Sequence, residues 1–501
     1  MISAPAITSD VRSDASTASS VKQPLNCTRR EVALPLTYLL CMALVGLQFY
    51  PALLGVVACM LYAWRHDRYN LMMMLLLFAG SYGLTQGKLF GIRYSDMVGA
   101  AALVCLVVLR KRPLIVRALI VYVAYAAVLF TVALFSRERM QIQVLQMREY
   151  LYFIMFLVPV AVFAGREFDI RAFFRVSMIY ILIICAFYII DAFVLYGNIL
   201  MPATDAWRGY MSSFTEFYWA PLSFNIDRKY PIGLYLMSLM VYPVARYYTL
   251  NKWQWMLILG ALAASRTITV IVGLVLFYAI FSGTVRQLLK YAFFAIVGFV
   301  ALYFIDYNLP RTSNDVYESP MRIASTVQQF IDLFDVVDPD DMAEFGSGRM
   351  AQLLPKLEVI QHEHREWTGL GFLHPEKTKI EAYIIDNELY SDIEKAEEVA
   401  IGVECVPAWV FLNAGIIGLI AHYLFFFGLW WIVRKEEYGG YSLAVMLTCM
   451  FWSLTGNANV INMNGLGPVS WAFAAVYLQA KTQKMKEEEG LLSLRDCRGR
   501  Y

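Results

Sequence analysis

The chain has 501 residues, 59% of them apolar and only 16% charged, against about 25% charged in a soluble domain. That balance excludes a water-soluble globule, and at roughly 20 residues per crossing it supplies enough apolar sequence for about fifteen membrane spans. A net charge of +2, from 42 Lys and Arg against 40 Asp and Glu, excludes nucleic-acid binding by bulk electrostatics.

Residues 1–32 are rich in Ser, Thr and Ala and read as a disordered cytoplasmic tail. No short apolar run precedes a small-residue cleavage site in it, so no removable signal is expected. Apolar stretches then predict fourteen transmembrane helices, at 33–49, 51–64, 70–84, 94–110, 114–135, 147–165, 176–196, 230–248, 253–264, 265–281, 288–305, 406–433, 441–456 and 465–481. Those at 51–64, 70–84 and 253–264 are short, which leaves the count at 12–14. The predicted fold class is an all-α polytopic membrane protein. Its parts are transmembrane helices 1–11 over 33–305, an external module over 306–405, helices 12–14 over 406–481 and a disordered cytoplasmic tail over 482–501.

Orientation follows from the basic loops, because cytoplasmic loops collect Lys and Arg. With the N-terminus inside, the inner loops are 65–69, 110–113, 166–175, 246–254, 282–290, 434–440 and the tail, and every one carries Lys or Arg. Both termini are therefore expected in the cytoplasm, and 197–229, the turn at Ser265–Arg266, 306–405 and 457–464 outside. Residues 306–404 hold 21 Asp and Glu against 8 Lys and Arg. Within them, 321–337 and 349–362 space apolar residues three and four apart, as one helix face does. The eight cysteines fall mostly inside apolar runs without CxxC spacing and read as small core hydrophobes.

Four constellations carry possible chemistry. Arg266 follows the short run 253–264, which spans only about 18 Å, so it lies near headgroup depth as a buried functional cation or as a snorkelling side chain. Arg349, in Gly346-Ser347-Gly348-Arg349, enters a helix start suited to anions, or pairs with the acidic loop. Glu404 stands where the external module re-enters the bilayer, as a general base with a raised pKa or an ordinary helix-start carboxylate. Gly415 and Gly418 in the following helix read as helix-packing positions. Arg208 and Arg228 lie among the aromatics of 197–229, a setting that suits sugars and phosphates as well as an aromatic belt. His362 and His364 supply two further titratable groups. The run Asp338-Pro339-Asp340-Asp341 reads as an acidic turn before a cation site, and no cofactor is called for.

In order along the chain, Ser265-Arg266, Gly348-Arg349, Gly369-x-Gly371 and Gly415-x-x-Gly418 resemble the O-antigen ligase and O-antigen polymerase family. The match covers roughly 200–480. The resemblance implies a fold similar to multi-span glycosyltransferases with lipid-linked donors, and a metal-independent, inverting glycan transfer from undecaprenyl pyrophosphate to an acceptor hydroxyl. The site would lie at the outer face of the bacterial inner membrane, with a flippase and a chain-length regulator as partners. By the same resemblance Arg266 and Arg349 take the places of two pyrophosphate-binding arginines. The ligase branch has a His eleven positions before the first glycine of Gly-x-x-Gly. Here that position is Glu404, followed by Cys405, which favours the polymerase branch over the ligase. The rival class is a flippase, whose charged or broken helices would sit at the midplane in paired repeats; the suspect residues instead gather at one face.

Overall fold

A computed structural model describes residues 22–46, 49–80, 88–89, 92–109, 113–136, 139–190, 235–265, 360–361, 364–372, 406–455 and 463–498, with scattered helical residues between 274 and 308. These residues are mostly helical. In chain order the helices are α1 (Arg29–Gly46), α2 (Ala52–His66), α3 (Arg68–Gly80), α4 (Tyr94–Leu109), α5 (Pro113–Leu134) and α6 (Met140–Met147). A 3-10 segment, Arg148–Phe156, runs from α6 into α7 (Leu157–Val162). There follow α8 (Ile170–Ile189), α9 (Val241–Arg246), α10 (Lys252–Ser265), α11 (Val406–Val433), α12 (Gly439–Thr455) and α13 (Met463–Arg498).

Among the described residues, four helical stretches are long and apolar enough to cross a membrane: Leu114–Leu134, Met140–Val162, Ile170–Ile189 and Trp409–Val433. Shorter apolar helices occupy Ala52–His66, Arg68–Gly80, Tyr94–Val107 and Gly439–Met450. A membrane fold of several helices is thus supported. The crossing expected at 147–165 begins earlier, at Met140, because α6, the 3-10 segment and α7 are continuous. The stretches expected at 265–281 and 288–305 lie largely outside the described residues.

The core is built around α3. Leu71, Met72, Met73, Met74, Leu76 and Leu77 are all buried, as expected of a helix that is apolar all round. Two of its carbonyls also serve large aromatics: Tyr38 Oη donates to Met74 at 2.8 Å and Trp471 Nε1 to Met72 at 2.7 Å. Each polar tip is thereby satisfied while its ring fills the interior. On the rim, Leu54, Leu61, Val104, Val107, Ile120 and Val123 are exposed and form the face a lipid phase would cover.

Chain segments separated by hundreds of residues gather at one end. Gln23–Pro24 (β1) pairs in parallel with Tyr248–Thr249 (β2), and Gln254 Nε2 donates to the Leu25 carbonyl at 2.8 Å. Arg175 binds Glu31 at 2.8 Å, and the Asp169 amide donates to Tyr69 Oη at 2.8 Å. Lys486 reaches Glu167 at 2.8 Å and Lys484 reaches Glu436 at 3.8 Å. The N-terminal segment and the basic loops 65–69, 166–175, 246–254 and 434–440 therefore share this end with the start of the C-terminal segment.

Both expected tails need correction at their membrane-proximal parts. Residues 22–28 are held as a strand and turn, and α1 starts at Arg29 because Thr28 and Glu31 form a capping box, with Thr28 N–H to Glu31 at 2.9 Å and Glu31 N–H to Thr28 Oγ1 at 3.4 Å. Helix α13 continues through 482 to Arg498. Gln479 and Thr482 on it accept the free amides of Ile170 and Phe168 at 2.9 and 3.0 Å.

Candidate functional site

The opposite end is organised by a break in α11. Gly415 has φ 61° and ψ −163°, a combination open only to glycine, and it opens the two helical hydrogen bonds that Ile416 and Ile417 would donate to Leu412 and Asn413. The stretch 366–371 takes both places. The Ile416 and Ile417 amides donate to Glu366 and Trp367 at 2.9 and 3.2 Å, while the Leu412 and Asn413 carbonyls accept from Leu370 and Gly371 at 2.8 and 3.0 Å. Backbone groups at membrane depth must be satisfied by protein, and here one irregular segment satisfies another.

Close approach explains the glycines. A Cβ on Gly415 would lie 2.4 Å from the Trp367 carbonyl, and one on Gly369 (φ 65°) 2.6 Å from the amide nitrogens of Ala414 and Gly415. One on Gly371 (φ 99°) would lie 2.2 Å from Ser136 Oγ. Gly415 is therefore not the helix-packing position expected from sequence. It is where the stretch 366–371 enters the break in α11.

The turn after α5, with α6 and the 3-10 segment, completes the seat. Ser136 Oγ donates to the Leu370 carbonyl at 3.0 Å, Gln143 Oε1 accepts from the Phe372 amide at 2.8 Å, and Arg365 donates to the Phe135 carbonyl at 2.8 Å. Asn413 Nδ2 donates to Tyr150 Oη at 3.0 Å, and the Tyr150 ring meets Phe372 edge-on at 5.2 Å. Farther along α11, buried His422 is hydrogen-bonded through Nδ1 to Tyr125 Oη at 2.9 Å.

Beside this seat lies a cluster of four charges. Arg93 pairs with Glu149, and Arg148 with Asp96 at 3.1 Å; the four side chains are 26–30% exposed. Tyr152 Oη donates to Asp96 at 2.9 Å and accepts from Ser95 Oγ at 2.9 Å. The 3-10 winding explains the alignment, since three residues per turn stack every third side chain. Glu149, Tyr152 and Met155 form one row facing Arg93, Asp96 and Gly99. Tyr150, Phe153 and Phe156 form another row, against Asn413, Phe425 and Phe473.

Of the residues singled out from sequence, His364 is described. It is exposed, with φ 54°, and its amide donates to Gln361 at 3.1 Å while that of Arg365 donates to Ile360 at 2.9 Å. This pair of bonds closes a helix whose next residue is left-handed, so His364 stands where glycine is usual and ends the helix containing Ile360 and Gln361. Arg208, Arg228, Arg266, Arg349, His362 and Glu404 lie outside the described residues, as do Asp338–Asp341; Ser265 is the last residue of α10 and Glu404 precedes α11 by two positions.

Sequence reasoning missed Arg93, Asp96, Arg148 and Glu149. The signal was an Arg-Glu pair with long apolar runs following it, matched by Arg93 and Asp96 at a spacing of three. No protein-family model matches the chain, and no curated protein matches it.

Proposed function

We propose that the chain is a multi-pass membrane glycosyltransferase that polymerises lipid-linked oligosaccharide repeat units. The growing glycan passes from undecaprenyl pyrophosphate to the hydroxyl of an acceptor sugar at the outer face of a bacterial inner membrane, with both termini cytoplasmic. The observation that carries this reading is the union of Gly369-x-Gly371 with Gly415-x-x-Gly418. Two parts of the family-like sequence pattern meet through four backbone hydrogen bonds, and this seat in an apolar helix next to polar and charged groups supports the reading.

In this reaction the acceptor oxygen attacks the anomeric carbon, the bond to pyrophosphate breaks with inversion, and the acceptor proton passes to a base. The leaving pyrophosphate gains negative charge as that bond breaks, so cations beside it favour the transition state over the ground state. Arg266 and Arg349 take that role in this reading and Glu404 takes the proton, with Arg208, Arg228, His362 and His364 contacting sugar.

The test is purified protein with a synthetic lipid-linked repeat unit. A ladder of longer glycans is expected. Arg266→Ala and Arg349→Ala abolish it at normal protein level, whereas Glu404→Gln retains donor binding and loses transfer, because an amide accepts no proton. Turnover that transports the lipid across a vesicle without forming a glycosidic bond would establish the flippase reading instead.

A further inference from the structure

Four charged side chains at the rim of an apolar bundle require an explanation beyond stability. A half-buried ion pair loses much of its Coulombic gain to desolvation, and apolar replacements are often as stable. Charged groups kept inside a membrane segment are functional by default. In this cluster each guanidinium has a carboxylate behind it: Glu149 holds Arg93, and Asp96 holds Arg148 at 3.1 Å. Asp96 is itself fixed by Tyr152 at 2.9 Å, and Tyr152 by Ser95 at 2.9 Å. Ser95 is buried and the Tyr152 side chain largely so, while the four charged side chains remain about a quarter exposed. The cluster is thus fixed from behind and partly exposed. It stands at the first turn of α4 and at the start of the 3-10 segment, with Arg148 the ninth residue of the apolar stretch Met140–Val162.

We propose that Arg93 and Arg148 form a subsite for a phosphoryl oxyanion. The two planar forks suit phosphate oxygens by geometry as well as charge, and the carboxylates compete with that ligand for them. This subsite is separate from Arg266 and Arg349, and its ligand class rests on the lipid-phosphate donor of the proposed function. A phosphate on a polyprenyl chain and a free pyrophosphate share this chemistry. The apolar rim of α4, with Val104 and Val107 exposed, favours the lipid-borne form.

The test uses the full chain in lipid nanodiscs and measures the affinity for undecaprenyl phosphate, with inorganic pyrophosphate as the soluble arm. Arg93→Gln and Arg148→Gln are expected to weaken undecaprenyl phosphate binding at least tenfold. Glu149→Gln and Asp96→Asn are expected to tighten it, since each removes an anion that competes with the ligand. A purely structural cluster predicts a different pattern: all four variants lower the unfolding temperature and none changes affinity, which overturns the subsite. Should the arginine variants fail to fold, the carboxylate variants still decide, because unchanged or weaker binding in both refutes the proposal. Equal dependence of pyrophosphate binding on both arginines assigns the subsite to the phosphoryl group alone, whereas dependence of only the lipid arm assigns it to the lipid headgroup. Binding that follows this pattern without glycan synthesis would remove the glycosyltransferase reading and leave the subsite standing; glycan synthesis with arginine-independent binding would do the reverse.

Discussion

The two ends of the bundle satisfy their backbone polar groups by different means. At the basic end, helix starts are closed by side chains. Thr28 caps α1, Asp67 accepts from the Tyr69 and Asn70 amides at 3.1 Å, Asp169 from Arg171 at 2.9 Å, and Asn251 from Trp253 and Gln254 at 3.0 Å. At the other end, α2 and α6 start without a side-chain cap hydrogen bond, and the broken α11 is completed by backbone from 46 positions earlier, Gly369 against Gly415. Side-chain caps are local and survive substitution one at a time. A backbone dock joins distant segments, and it fails as a unit.

The largest expected effect therefore falls on the dock. Gly415→Val and Gly369→Ala each place a side chain onto opposing main chain and should cost about 2–4 kcal/mol, seen as a lower unfolding temperature and faster proteolysis within 360–372. A smaller loss is expected from Tyr150→Phe, which leaves Asn413 Nδ2 buried without its acceptor, at about 1–3 kcal/mol. Single cap removals at the basic end, Asp67→Ala or Asn251→Ala, should cost about 1 kcal/mol each. If caps and dock prove equal in thermal denaturation, the contrast between the ends is broken.

The smallest effect is electrostatic. Burial raises the Glu31 carboxyl pKa, but the Arg175 guanidinium and the Thr28 hydrogen bonds outweigh it and hold the group below its ordinary value of 4.5. Its contribution is therefore complete above that value and lost as pH falls through the lower folded one. Wild type and Glu31→Gln should differ by a constant amount in unfolding temperature above about pH 5 and converge in more acidic buffer. The same variant sharpens the topology. Burial, followed by the Glu31 charge, raises the Cys27 thiol pKa, so Glu31→Gln should speed alkylation of exposed Cys27 in a background lacking other cysteines. An impermeant reagent should reach it only after the membrane is opened.

His364 gives a cleaner separation of backbone from chemistry. Glycine at that position accepts φ 54° without a Cβ penalty. His364→Gly should therefore keep or raise stability, and any loss of glycan synthesis in that variant would report the imidazole alone.

Much of the helical architecture was legible because it rests on apolar runs and on basic loops, which the solvent contrast of a bilayer imposes directly. The gathering of 22–31, 167–175, 248–254 and 436 at one end follows the loop alternation read from Lys and Arg. Less legible was the break at Gly415. A helix-packing glycine and a helix-breaking glycine look alike until the partner backbone is known, and that partner lies far away in sequence. The Arg148–Glu149 pair was hidden for another reason. At the edge of an apolar run it resembles a loop boundary, and only the continuity of α6 with the 3-10 segment places it within a span.

That segment also changes how far the chain reaches. Its nine residues advance about 2.0 Å each in 3-10 geometry, against about 1.5 Å in an α-helix. Rewinding them would shorten the element by about 4.5 Å and slide the row of Glu149 and Tyr152 out of step with Arg93 and Asp96. Length and pairing are therefore coupled: the 3-10 pitch keeps the ion pairs in register, and an axial pull on α7 would be felt first as misregister at the arginines.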